Sequence, residues 1–125
     1  MPLLLTTAEV SALTGATLRQ LQWWDEAVLV RGVRIVGNKR LWNEHQIRRA
    51  RLLLRIVGNG GRGGPHTPHV SDAALQRRFL LFSGFRRPKG KRTTYKALIG
   101  ASDSREEIVR MAAAAPCGVL VVELP

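Results

Sequence analysis

The sequence predicts an α+β chain in two parts, and three observations predict it. Capped helical segments fill the first fifty-odd residues. The hydrophobic period changes from helical to extended at Val33, and a glycine-rich run at 58–65 precedes a strand–helix–strand pattern. The expected organisation is a first domain over 1–57, a Gly/Pro-rich linker over 58–70, and a small α/β region over 71–125. At 125 residues and 45% apolar composition, the chain suits one small domain plus an appendage.

Thr6-Thr7-Ala8-Glu9 fits a capping box, in which a Thr hydroxyl and the Glu three residues later satisfy the free amides of a new helix. Val10 and Leu13 then recur at helical spacing until Thr14-Gly15 breaks the pattern. Thr17 caps a second helix, with Leu18, Leu21, Trp24 and Leu29 on one apolar side. Val33-Arg34-Ile35-Val36, the turn pair Gly37-Asn38, and Lys39-Arg40-Leu41-Trp42 read as a β-hairpin. Asn43 caps a third helix whose apolar face is Ile47, Ala50, Leu53 or Leu54, and Val57. Gly58 to Pro65 holds neither helix nor strand cheaply and reads as a linker.

Beyond the linker, Ser71-Asp72 is expected to cap a helix from Ala73 to Phe82. Arg86 to Arg92 reads as an exposed basic loop, or as an auxiliary nucleic-acid contact. Thr93 to Gly100 reads as a strand. Ser102 or Asp103 caps a helix running to Ala115, Pro116 stops it, and Gly118 to Leu124 is a further strand.

Charge narrows the partners. Residues 1–57 hold nine Lys/Arg against four acids and 58–92 hold eight against one, whereas 93–125 hold three against four. The net +11 thus lies in the first three quarters of the chain, as suits a polyanion partner. Composition alone does not choose among DNA, RNA and anionic membrane. No stretch reaches the roughly 18 uninterrupted apolar residues of a membrane span. Met1 to Leu5 lacks the flanks of a signal peptide, so a cytoplasmic location without a membrane partner is expected.

Chemistry is sparse. Cys117 stands alone and reads as a small buried apolar residue, with no disulfide and no thiolate cage. His66 and His69 have no further ligand nearby, so no metal or cofactor is expected. No nucleophile, base and orienting carboxylate gather at readable spacing, and no Gly-Lys-Ser/Thr phosphate loop occurs, which argues against an enzyme.

Thr7-Ala8-Glu9-Val10, Leu13-Thr14-Gly15, and Thr17-Leu18-Arg19-Gln20-Leu21-Gln22-Trp23-Trp24-Asp25-Glu26, followed by Gly37-Asn38-Lys39-Arg40-Leu41-Trp42, resemble the opening of the MerR family of regulators. The likeness covers about residues 3–56. It implies a winged helix-turn-helix that binds double-stranded DNA and regulates transcription. As further partners it implies a second copy of the chain, making a homodimer, and RNA polymerase. The helix over 17–26 would enter the major groove and the wing over 33–42 would lie on the backbone.

On that reading Leu18, Arg19 and Gln22 face bases, and Thr17 at the start of the helix joins the DNA-binding residues. Arg grips guanine and Gln grips adenine with two bonds each. Trp23 lies near the DNA as an indole donor, while Trp24 belongs to the core. Arg34, Lys39 and Arg40 hold phosphates, with Arg48, and Arg49 beside it, as weaker candidates. Trp42 pins the wing to the helices. On spacing alone, Arg19 and Gln22 read equally as solvated helix residues.

Three features depart from the family. Gln22 stands where an Arg is usual. Val28 stands where a Gly commonly ends the helix, so the helix end is expected to be remodelled. The long dimerising helix is replaced by the linker and the α/β region. Two alternatives remain open: an architectural or phage-type DNA-binding protein (an excisionase or packaging recognition subunit), and a C-terminal dimerisation or effector module that the first domain merely delivers.

Overall fold

The computed structural model describes residues 3–58, 60–61, 67–85, 94–115 and 118–125. The expected basic loop at 86–92, Cys117 and His66 lie outside them. The fold is mixed α+β, with five helices and two small antiparallel sheets among the described residues. No helix among them is long and apolar enough to cross a membrane. The chain separates into two compact units, Met1–Pro65 and His66–Pro125, and the break falls inside the expected linker.

The first unit is built on helix ends. Strand β1 (Leu5–Thr6) leads into α1 (Thr7–Thr14), whose cap is the expected one: Thr6 Oγ1 accepts the Glu9 amide at 3.3 Å and Glu9 Oε1 accepts the Thr6 amide at 2.9 Å. Gly15, at φ +86°, closes α1 in the left-handed conformation that only Gly adopts freely. Helix α2 (Leu18–Glu26) starts at Thr17 and α3 (Glu44–Val57) at Asn43, each with a Gln three residues on completing a capping box. Between them lies the hairpin of β2 (Arg34–Val36) and β3 (Lys39–Trp42). A positive φ at Gly37 begins its two-residue turn. An unforeseen third strand completes the sheet, since β1 pairs antiparallel with β3, Leu5 opposite Trp42. Val10, Ala16, Leu21, Trp24, Trp42, Ile47 and Ala50 form the core.

One expectation for this unit fails. The end of α2 is not remodelled, because Val28 itself takes φ +58° where Gly was missed. The Leu29 amide reaches Trp24 O at 2.9 Å and the Val28 amide reaches Asp25 O at 3.1 Å, the paired bonds of a Schellman cap. Leu29 packs against the core and so holds the β-branched residue in a backbone region that costs about 1–2 kcal/mol.

The second unit overturns a longer stretch. Ser71 does cap a helix, but α4 (Asp72–Leu75) ends after one turn, and the expected helical residues Phe79–Phe82 belong to strand β4 (Phe79–Phe85). Strand β4 is central, in the order β5-β4-β6 with β5 (Thr94–Ser102) and β6 (Val119–Glu123), all neighbours antiparallel. Phe79, Leu80, Leu81 and Phe82 are all buried, so consecutive positions along the strand are covered on both faces. A short unbroken apolar run fits a buried helix or a central strand equally, and periodicity cannot separate them.

Helix α5 (Arg105–Ala114) lays Ile108, Met111 and Ala112 on Phe79 and Leu81. Its cap is Ser104 rather than Ser102 or Asp103. Ser102 instead sits buried beneath it and donates to Glu107 at 2.9 Å. The expected strand–helix–strand is therefore split: β5 and β6 run parallel with β4 between them.

Candidate nucleic-acid interface

Helix α2 divides its residues sharply. Gln20, Leu21 and Trp24 have no exposed surface, which fixes the helix against the core. Thr17, Leu18, Arg19 and Gln22 are exposed, Leu18 to 56%. Leu18 was expected both on the apolar side of the helix and at the bases; it belongs to the exposed strip. Thr17 also serves as the cap, its Oγ1 accepting the Gln20 amide at 3.0 Å.

The strip is ordered by its own neighbours. The Arg19 guanidinium lies over the Trp23 ring at 5.0 Å, a cation–π pair one turn apart, and Trp23 is half-buried beneath it. Gln22 Nε2 donates to Glu26 Oε1 at 3.0 Å. Such i,i+4 contacts hold long polar side chains along the helix surface at little entropic cost.

The hairpin register separates the cations that the sequence grouped. Val36 pairs with Lys39, Ile35 with Arg40, and Arg34 with Leu41. Side chains alternate along a strand, so Arg34 and Lys39 share one face while Arg40 lies on the other with buried Trp42. Arg40 Nε is 2.7 Å from Asp25 Oδ2 and its Nη2 is 3.6 Å from Glu26 Oε1. That guanidinium binds the hairpin to the C-terminal half of α2. Arg34 and Lys39 stay exposed. Lys39 also contributes, as the smallest cause, to holding the Glu9 carboxyl below its usual range; the larger causes are the backbone and hydroxyl hydrogen bonds to Thr6. Trp42 has no exposed surface and donates its indole N–H to Thr7 Oγ1 at 3.0 Å, the pin expected of it.

Arg48 and Arg49 are half-buried on the first turns of α3. Burial lowers the pKa of Arg48 from the ordinary arginine value, and the group remains a cation at neutral pH. Among the described residues no three His, Cys, Asp or Glu side chains gather into a metal-holding group.

Sequence reasoning missed two glutamines. Gln20 and Gln46 each accept a backbone amide as the third residue of a capping box, and each turns its amide N–H groups to distant carbonyls. Gln46 donates to Arg31 O at 2.9 Å; Gln20 donates to Gly58 O at 2.9 Å and to Gly61 O at 2.8 Å. The spacings Thr17-x-x-Gln20 and Asn43-x-x-Gln46 were legible as capping boxes, but the remote acceptors carried no local signal. Asp25 was likewise legible only as an acid near an aromatic pair.

Comparison of the chain with protein-family models, with curated proteins and with solved structures finds no match.

Proposed function

We propose that the first unit is a winged helix-turn-helix that binds double-stranded DNA sequence-specifically and regulates transcription. Helix α2 reads bases in the major groove, and the face of the hairpin bearing Arg34 and Lys39 rests on the sugar-phosphate backbone. The observation that carries this reading is the division of α2: an exposed strip of Leu18, Arg19 and Gln22 backed by wholly buried Gln20, Leu21 and Trp24. Arg and Gln are the two side chains that make bidentate contacts with guanine and adenine, and the adjoining Leu18 suits a thymine methyl. The cationic surplus of residues 1–92 supplies the sequence-independent part of the attraction. Arg40, also assigned to the sugar-phosphate backbone by its place in the hairpin, has a structural role beside that one. It holds the hairpin to α2 and so fixes where Lys39 lies relative to the reading strip.

Affinity for duplexes from upstream of the chain's own coding region, measured against random duplex at stated salt, is the direct test. Selective binding by at least about tenfold is expected, since specific and non-specific binding ordinarily differ by far more. Equal affinity for both, with only a salt slope, removes the claim. Arg19→Ala should weaken the selected duplex alone, whereas Lys39→Ala should weaken all duplexes and lower the salt slope by about one unit. Cooperative binding to adjacent sites with strong bending would favour the architectural alternative.

A further inference from the structure

Gln20 is wholly buried in the helix assigned to reading bases, yet it makes no contact that helix needs beyond its cap. Its two amide hydrogens go to Gly58 O and Gly61 O, the first residues after α3, on the path to the second unit. These carbonyls are presented by a shaped turn. Gly58 and Gly60 hold positive φ, and the Gly61 amide donates to Gly58 O at 3.1 Å. A Cβ on Gly61 would collide with the Val57 backbone carbonyl. The glycines expected to make a free linker therefore begin as a close-fitting acceptor site. Glutamate would cap α2 as well as Gln does, but a carboxylate cannot donate to two carbonyls.

We infer that Gln20 and Gly61 form a latch through which the segment connecting the two units sets the position of the reading helix. Gln20 is a positioning residue: it touches no base and acts by holding the first turn of α2, which carries Leu18 and Arg19, to the end of α3. Release of the Gly58–Gly61 turn leaves two buried N–H donors without partners and loosens that turn. The inference rests on the duplex-binding reading for its consequence, and on hydrogen bonding alone for the latch.

The test uses the full chain with Gly61→Ala, which alters only the glycine turn and leaves the α2 cap in place, and Gln20→Met, which keeps the side-chain volume but removes both the donors and the capping acceptor. Amide exchange at Gln20 (or its replacement) and Leu21, whose N–H groups bond to Thr17, should quicken in both variants while far-UV circular dichroism stays unchanged. Selectivity for the chosen duplex over random duplex should fall about fivefold to tenfold, and the double variant should fall no further than either single one. Unchanged exchange in Gly61→Ala, or faster exchange with unchanged selectivity, overturns the inference. Should the unaltered chain bind all duplexes equally, the function reading fails, and exchange in Gly61→Ala then decides the latch by itself.

Discussion

In Met1–Pro65, three helices each begin with a reciprocal side-chain cap, and the small sheet serves to carry a hairpin; in His66–Pro125, a central strand pairs on both edges and α5 packs on it. Reciprocal caps three residues apart thus start each helix of the first unit, whereas the core of the second rests on pairings such as Phe79 with Glu123. With its first turn satisfied by Thr17 and Gln20, α2 places Gln20, Leu21 and Trp24 inside and leaves Leu18, Arg19 and Gln22 exposed. The second unit has no such freedom along β4, where every residue from Phe79 to Phe82 is needed inside.

Replacing the centre of that strand should have the largest effect. Phe82→Ala is expected to cost about 3–5 kcal/mol in urea denaturation, as for a fully buried aromatic side chain. A loss near zero would show that β4 is not where the second unit keeps its core.

Next comes the join between the hairpin and α2. Asp25→Asn should cost about 1 kcal/mol, a modest figure because both partners of the ion pair retain some exposure. The same change removes one of the two carboxylates that face Arg40, so the salt slope of duplex binding should steepen, by at most about one unit. A steeper slope without loss of stability would mean that the pair holds nothing together.

Val28→Gly sharpens the contrast from the other side, because it should stabilise the first unit by about 0.5–1 kcal/mol. Relief of the left-handed backbone outweighs the added freedom of the unfolded chain. A lower melting temperature would show that the exposed Val28 side chain contributes more than its backbone costs.

The smallest effect concerns pH. The folded-state pKa of Glu9 is depressed, so its contribution is present above the unfolded carboxyl pKa and is lost as pH falls through the folded value. Glu9→Gln keeps an acceptor for the Thr6 amide and should flatten the stability profile below about pH 5. A profile unchanged by the substitution would mean that the capping carboxylate adds no charge-dependent support.

Legibility follows the same division. Thr6, Thr17 and Asn43 announce helices because a cap is a contract between near neighbours, and Gly37-Asn38 announces a hairpin for the same reason. Phe79 to Phe82 was misread because an unbroken apolar run looks alike in two secondary structures until its partners are known. The exposed strip of Leu18, Arg19 and Gln22 was visible as spacing, but Arg40 was not separable from Lys39. Only strand register sends one side chain to Asp25 and the other outward.

Composition, cap spacing and turn chemistry therefore determined, unaided, that this chain is cationic over its first three quarters and opens with helix, helix, hairpin and helix. Tertiary structure decided what depends on residues far apart in the chain: the strand identity of 79–82, the pairing of Arg40 with Asp25, and the grip of Gln20 on Gly58 and Gly61. The physical reason is common to all three. A backbone or side-chain polar group must find a partner once water is excluded, and where that partner lies many residues away, no short window of sequence contains it.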